Sequence, residues 1–164
     1  LWAGLERALR GACEQFVASR IKEGENLKVD LIDKLDHMIS YIDFIEKRSP
    51  LIMEEYRKRL EDKIKEILGD RQMDDGRIAT EVTIYADKVC VDEETVRLRS
   101  HINTTKDTLL EGGSIGRKLD FIAQEMNREA NTILSKANNI EISDTGINLK
   151  TSIEKVREQI QNIE

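Results

Sequence analysis

The sequence predicts an all-α fold, a multi-helix bundle from which a long antiparallel helical hairpin projects. Three observations carry that reading. Of 164 residues, 35% are charged and 39% hydrophobic, the balance of charged helical proteins. One proline, nine glycines, three Phe, three Tyr and one Trp supply too little turn and strand chemistry for a sandwich or barrel. Apolar residues recur at steps of three and four, the period of one helix face. The length suits one domain with a real core.

The segment from Trp2 to about Ile21 places Leu5, Leu9, Ala12 and Phe16 near helical spacing and runs into Lys22-Glu23-Gly24, where a break is expected. Leu27, Leu31, Leu35, Met38, Ile42 and Ile45 then follow the rhythm of a helix whose seam faces another helix. This helix should end near Ser49-Pro50, because the residue before a proline is pushed out of helical geometry while the proline itself suits a first turn. Ser49 would cap the next arm. That arm, over about 50–68, carries Ile52, Tyr56, Leu60, Ile64, Ile67 and Leu68 beneath charges of alternating sign. The two arms form the expected hairpin, about 25–69, and a bundle follows over about 75–164.

Gly69 and the run Asp70 to Gly76 interrupt the pattern, after which Ile78, Val82, Tyr85 and Val89 support a shorter helix. Asp92-Glu93-Glu94 place acid in the first turn of a helix that runs through Leu98 to Leu110, where negative charge meets the positive end of the helix dipole. Glu111 to Ser114 turn the chain. Leu119, Ile122, Met126, Ala130 and Ile133 form the next stripe, and Leu149, Ile153, Val156, Ile160 and Ile163 the last. Asn138 to Gly146 reads as a polar connection between them. Six or seven helices are expected.

No apolar run approaches the ~20 residues needed to cross a bilayer, so no membrane partner is expected. Cys13 and Cys90 lack metal-type spacing and read as small core residues in a reducing cytoplasm. The chain opens Leu-Trp-Ala-Gly, without an initiator methionine or a signal region, and is read as part of a longer protein. A net charge of −6 opposes nonspecific nucleic-acid binding through a basic face but leaves room for a local basic patch or a carboxylate site for a divalent cation. The chain has no G-x-x-x-x-G-K, no G-x-G-x-x-G after a strand and no C-x-x-C, so no nucleotide cofactor is expected.

The helix over about 115–136 holds the most unusual pattern. Asp120, Gln124, Asn127, Asn131 and Ser135 make one stripe rich in amides, which are mediocre helix formers. Two readings compete: a satisfied polar network between helices, or a wall that offers donors and acceptors to a polar ligand. Beside the stripe, Glu125 and Glu129 are a carboxylate pair one turn apart, able to share a divalent cation, with Arg128 between them and Arg117 and Lys136 near the helix ends. Plain helix ion pairing is the competing reading. On the preceding helices, Glu81, Tyr85 and Lys88 lie along one face, and Glu93, Arg97 and His101 step by four along another. A histidine can ligate a metal or move a proton, and an arginine can hold a phosphate in bidentate fashion. His37, amid Asp33, Lys34 and Asp36, reads as surface.

Gly113 to Thr132 reads G-S-I-G-R-K-L-D-F-I-A-Q-E-M-N-R-E-A-N-T and resembles the G-x-x-G-R-[RK]-L-D-F-x-x-Q-E-[LM]-N-R-E-x-N-T signature of the bacterial YicC-like proteins. Arg20 to Leu27, Arg77 to His101 and Arg157 to Glu164 agree with further elements of that family, so the resemblance covers nearly the whole chain. It departs at Thr105, where relatives usually carry phenylalanine, and at Val89-Cys90-Val91-Asp92, which replaces an acidic version. The resemblance implies the carboxy-terminal helical part of a cytoplasmic endoribonuclease, preceded by an amino-terminal domain. It further implies a divalent metal, Mg or Mn, and a homo-oligomer, a hexamer, that closes around structured RNA. On that footing Glu81, Glu125 and Glu129 are the expected metal ligands, and His101 and Glu125 the catalytic groups. Arg97, Arg117, Gln124, Asn127, Arg128, Asn131 and Lys136 are the expected RNA contacts. The competing expectation is a scaffold module whose seams at 27–45 and 149–163 drive assembly, with cleavage dependent on the missing domain.

Overall fold

The structure, a computed structural model, describes residues 2–68 and 75–163. Five helices account for almost all of them: α1 (Trp2–Leu68), α2 (Asp75–Val89), α3 (Asp92–Glu111), α4 (Gly116–Lys136) and α5 (Ile140–Ile160). The all-α expectation holds, but the described residues form five helices and not six or seven.

The reduction comes from α1. It passes both expected breaks, at Gly24 and at Ser49-Pro50, as one helix of 67 residues, roughly 100 Å long at 1.5 Å per residue. An interior proline removes a backbone hydrogen bond and costs about 3 kcal/mol. Burial offsets that cost, because Ile45 and Ile52 are both buried on either side of the kink-prone point. Arg48 also reaches across the proline to Glu55 at 3.0 Å and bonds Glu141 of α5. Ser49 is therefore no cap, and its Oγ is buried without a partner among the described residues.

The expected pairing of residues 25–49 with 50–68 does not occur, since both lie on the continuous α1; the distal part of α1 packs instead on α2. Tyr56 stacks on Tyr85 with ring centroids 3.7 Å apart, and Ile52 and Met53 approach Ala86 and Val89. The turn expected at Gly69 to Asp74 lies outside the described residues.

The bundle proper is built from α1 over about 27–52 with α3, α4 and α5. Arg99 of α3 meets Asp43 and Glu46 of α1 at 2.8 Å, while Lys106 meets Asp36, so α3 runs antiparallel to α1. Arg48 to Glu141 and Asp30 to Gln159 show the same for α5. α4 packs between α3 and α5 and lies diagonal to α1. The result is an up-down-up-down four-helix bundle. Leu31, Leu35, Met38, Ile42, Leu98, Ile102, Leu119, Met126, Ile133, Leu149 and Ile153 fill its centre and are fully buried. All but Ile102 belong to the predicted apolar stripes.

Three local expectations are corrected. Cys13 and Cys90 are exposed and are not core residues. Residues 140–146 belong to α5 and not to a connection, because Asn139 caps the helix by accepting from the backbone N–H groups of Glu141 and Ile142. Gly146 is buried in that helix against Leu134, where a Cβ would stand 2.8 Å from a leucine methyl. It permits close packing and does not mark a linker. Thr105 is fully buried, its hydroxyl donating to the His101 carbonyl at 2.8 Å, so the smaller side chain fits the core.

The Arg48 clamp predicts an acid response. Its hydrogen bond from the guanidinium holds the Glu55 carboxyl below the ordinary carboxylate range. A carboxylate depressed in the folded state stabilises above its unfolded pKa and loses that contribution as pH falls through the folded value. Thermal melting between about pH 5 and pH 3 should therefore show a shallower loss of stability in Arg48→Met than in the parent chain.

Candidate active site on the α3 and α4 face

α3 and α4 are joined by residues 112–115, where Gly112 and Gly113 take φ of 70° and 83°, a left-handed backbone that only glycine adopts cheaply. This tight turn sets the antiparallel register of the two helices. Arg97 lies across from Glu129, with Nη1 3.7 Å from Oε1, and His101 lies beside Glu125 one turn further along. Arg97, Ser100, His101, Glu125, Arg128 and Glu129 line one open hollow of about 360 Å³. Five residues singled out from the sequence are thus brought together from two helices.

Within the hollow the carboxylates differ. Glu129 is 6% exposed, whereas Glu125 is half-buried with Arg128 4.0 Å away. Arg97 also bonds Glu93 on its own helix, so it is held by two carboxylates. His101 is half-buried and has no hydrogen bond through its ring among the described residues. The imidazole is available to a ligand.

The amide stripe stands next to this hollow. Gln124, Asn127, Arg128, Asn131, Ser135 and Arg157 line a shallow groove between α4 and α5. Asp120 is bonded by Gln124 at 2.7 Å and by Arg157 at 3.1 Å, and Asn127 donates to Glu154. Gln124 and Asn131 face solvent, and the buried Asn127 Oδ1 has no partner among the described residues. The inner edge of the stripe forms the expected polar network between α4 and α5, and its outer edge faces solvent. Arg128, with three quarters of its side chain exposed, rims both the groove and the hollow.

Three expected residues lie elsewhere. Glu81 is exposed on α2, which packs on α1, and does not line the hollow. Arg117 is exposed at the start of α4, several turns away. Lys136 is turned inward, donating to Glu94 at 2.7 Å and to the Cys90 carbonyl at 3.0 Å. That pairing matters because Glu94 is only 5% exposed. Removing one partner leaves a buried charge uncompensated, and Lys136 is about a third exposed, which moderates the effect. Lys136→Met should cost about 2 kcal/mol in urea unfolding.

Residues not foreseen are Ser100, Arg157 and Glu94. Arg157 shares no helix with the amide stripe, so only its contact with Asp120 reveals the relation. Glu94 falls three residues before Arg97 and seven before His101, a helical spacing that does place it on their face.

Among the described residues no three His, Cys, Asp or Glu side chains converge closely enough to hold a metal ion by themselves. Glu125 and Glu129 are the two carboxylates of the hollow from which a divalent cation would have to draw its protein ligands, the rest of its shell coming from water and substrate. No described helix is long and apolar enough to cross a membrane.

Residues 45–164 match the family model described as endoribonuclease YicC-like, C-terminal. The chain is 45% identical over 165 residues to a probable endoribonuclease YicC of Clostridioides difficile, an alignment covering all of this chain and 56% of the relative. It is 38% identical over 149 residues to a protein of the same description in Haemophilus influenzae, covering 91% of this chain and 51% of the relative. The chain therefore spans about half the length of the curated relatives it matches.

Proposed function

Because the chain belongs to the YicC-like endoribonuclease family, we propose that it is part of a metal-dependent endoribonuclease cleaving structured RNA, with the hollow between α3 and α4 as its reacting centre. The observation that carries this is the convergence of Arg97, His101, Glu125, Arg128 and Glu129 on one solvent-open spot. A histidine, two carboxylates and two arginines are a set suited to phosphodiester cleavage.

Each residue has a chemical task. Arg97 and Arg128 present guanidinium donors to phosphate oxygens and position the scissile group. His101, with a free ring, moves a proton at the attacking or leaving oxygen. Glu125 and Glu129 would hold the divalent cation, Mg or Mn, which when bound stabilises charge on phosphoryl oxygens and lowers the pKa of a coordinated water. Gln124 and Asn131 offer amide donors and acceptors to sugars and bases leaving the hollow past Arg128, whereas Asn127, expected beside them, is turned inward, its amide bonded to Glu154 and its Oδ1 buried. Glu81 has no part in this centre, Arg117 could only contact RNA further along, and Lys136 acts as a clamp between α3 and α4. Work in the cytoplasm as a homo-oligomer, a hexamer closing on structured RNA, belongs to the same reading.

The test is direct. The chain and its full-length form are incubated separately with a hairpin RNA, with Mn²⁺ or with EDTA, beside a Glu125→Ala/Glu129→Ala variant. Metal-dependent cleavage by both proteins, lost in the variant with helix content unchanged, supports the reading. Cleavage by the full-length form alone, indifferent to the double substitution, overturns this centre and leaves the helices as a scaffold.

A further inference from the structure

Phe121 is the one large apolar side chain that α4 leaves in water among the described residues, with 64% of its surface exposed. Leu119, Ile122, Met126 and Ile133 of the same helix all face the core. A single exposed ring is ordinary by itself. Its neighbours make this one informative.

Positions three and four residues apart share a helix face, so Arg117, Phe121, Gln124 and Arg128 follow one another along the outer side of α4. All four are exposed. Arg128 rims the hollow at one end of this row. At the other end Arg117 lines a second hollow of about 480 Å³, together with Ser114, Ile160 and Gln161. Arg117 has no ion pair among the described residues, and the pair of Arg128 with Glu125 is stretched to 4.0 Å. Both guanidinium groups are open to a phosphate oxygen.

The row suits one kind of ligand. An apolar protein surface would gain little from it, because the positions one turn from Phe121 on its own helix are Arg117, Lys118, Gln124 and Glu125. A nucleic-acid strand uses the same mixture well: its phosphates meet the arginines, and a base lies flat on the ring whatever its identity, since every base has a π face.

Geometry sets the pairing state of that strand. At 1.5 Å per residue Phe121 stands about 6 Å along the helix from Glu125, and the row from Arg117 to Arg128 is roughly 16 Å long. At about 3.4 Å per stacked nucleotide that length holds about five nucleotides, and fewer when the bases are splayed. A paired base inside a duplex shows only its edges, so the ring receives a base only from an unpaired stretch.

We infer that the outer face of α4 binds an unpaired RNA segment beside the hollow, with one base stacked on Phe121 and the flanking phosphates held by Arg117 and Arg128. The protein thereby selects phosphates next to unpaired nucleotides of a folded RNA. This rests on the proposed function for RNA as the ligand, and Phe121 binds substrate without taking part in the chemistry.

The experiment measures binding in EDTA, where the proposed cleavage does not run. Full-length protein is titrated against a hairpin RNA with a wide loop and against a blunt duplex of the same stem, by fluorescence anisotropy. Phe121→Ala should weaken hairpin binding about 5–150-fold, the range for losing one stacked base, and leave duplex binding unchanged. Phe121→Trp should bind like the parent and Phe121→Leu like the alanine variant, which separates stacking from mere apolar contact. A 2-aminopurine in the loop should be quenched by the parent and not by Phe121→Ala. Arg117→Gln should lower the slope of log affinity against log salt by about 0.7. Thermal melting should not change in Phe121→Ala, because the ring is outside the core. Equal hairpin binding by Phe121→Ala and the parent overturns the inference, as does full rescue by leucine or a parent that does not prefer the hairpin to the duplex. A fall in oligomeric mass on sedimentation with RNA binding intact also overturns it and makes Phe121 a protein contact. The Glu125→Ala/Glu129→Ala cleavage test is independent: the reacting centre can fail there while the Phe121 dependence of binding stands, and the reverse.

Discussion

Glu129→Gln should lower RNA cleavage by roughly 10²–10⁴-fold while leaving the bundle folded. Glu129 is the most buried carboxylate of the hollow, and its charge is balanced by Arg97 at 3.7 Å. The amide keeps the shape and a hydrogen-bonding oxygen but removes the charge that a divalent cation or a proton in transfer requires. Folding depends on it much less, because Arg97 keeps its bond to Glu93 and is half exposed to water. A stability change below about 1 kcal/mol is expected, as for other partly exposed ion pairs. Single-turnover cleavage of a hairpin RNA and urea unfolding separate the two effects. Equal cleavage by the variant and the parent would remove Glu129 from the chemistry.

Leu98→Ala should destabilise the bundle by about 2–5 kcal/mol, the range for deleting a fully buried leucine without repacking. Leu98 has no exposed surface and sits on α3 between Arg97, which faces the hollow, and Arg99, which bonds Asp43 and Glu46 of α1. A cavity there also loosens the seat of the Arg97–Glu129 pair and of the Arg99 pairs to α1. Leu98→Met, which nearly conserves volume, should cost under about 1.5 kcal/mol. Chemical denaturation checks both. A loss in the alanine variant no larger than in the methionine variant would show that α3 is not anchored at this point.

How much of this was readable without a fold differs from element to element. The stripes over 92–110, 119–133 and 149–160 located α3, α4 and all but the first two turns of α5, because one face of each is buried and the 3.6-residue period is imposed by that burial. The carboxylates at 125 and 129 were legible for the same reason: positions one turn apart on a helix are neighbours whatever surrounds them. Pro50 and Gly24 misled. Both weaken a helix locally, and a local signal carries no information about the packing of Ile45 and Ile52 or the Arg48 clamp that keep α1 continuous. Gly146 misled in the same way, since its role depends on Leu134 of another helix.

Residues near in sequence on one helix determined the helical class, the core stripes and the neighbourhood of Glu125, Arg128 and Glu129 on one face of α4. The tertiary structure alone decided which partners those residues meet. It set Arg97 against Glu129, drew Arg157 to the amide stripe, turned Lys136 inward to Glu94, and left Glu81 outside the hollow. The physical reason is range. Helix periodicity is written by interactions over three or four residues, whereas the choice of neighbouring helix and its register comes from burial summed across the whole bundle.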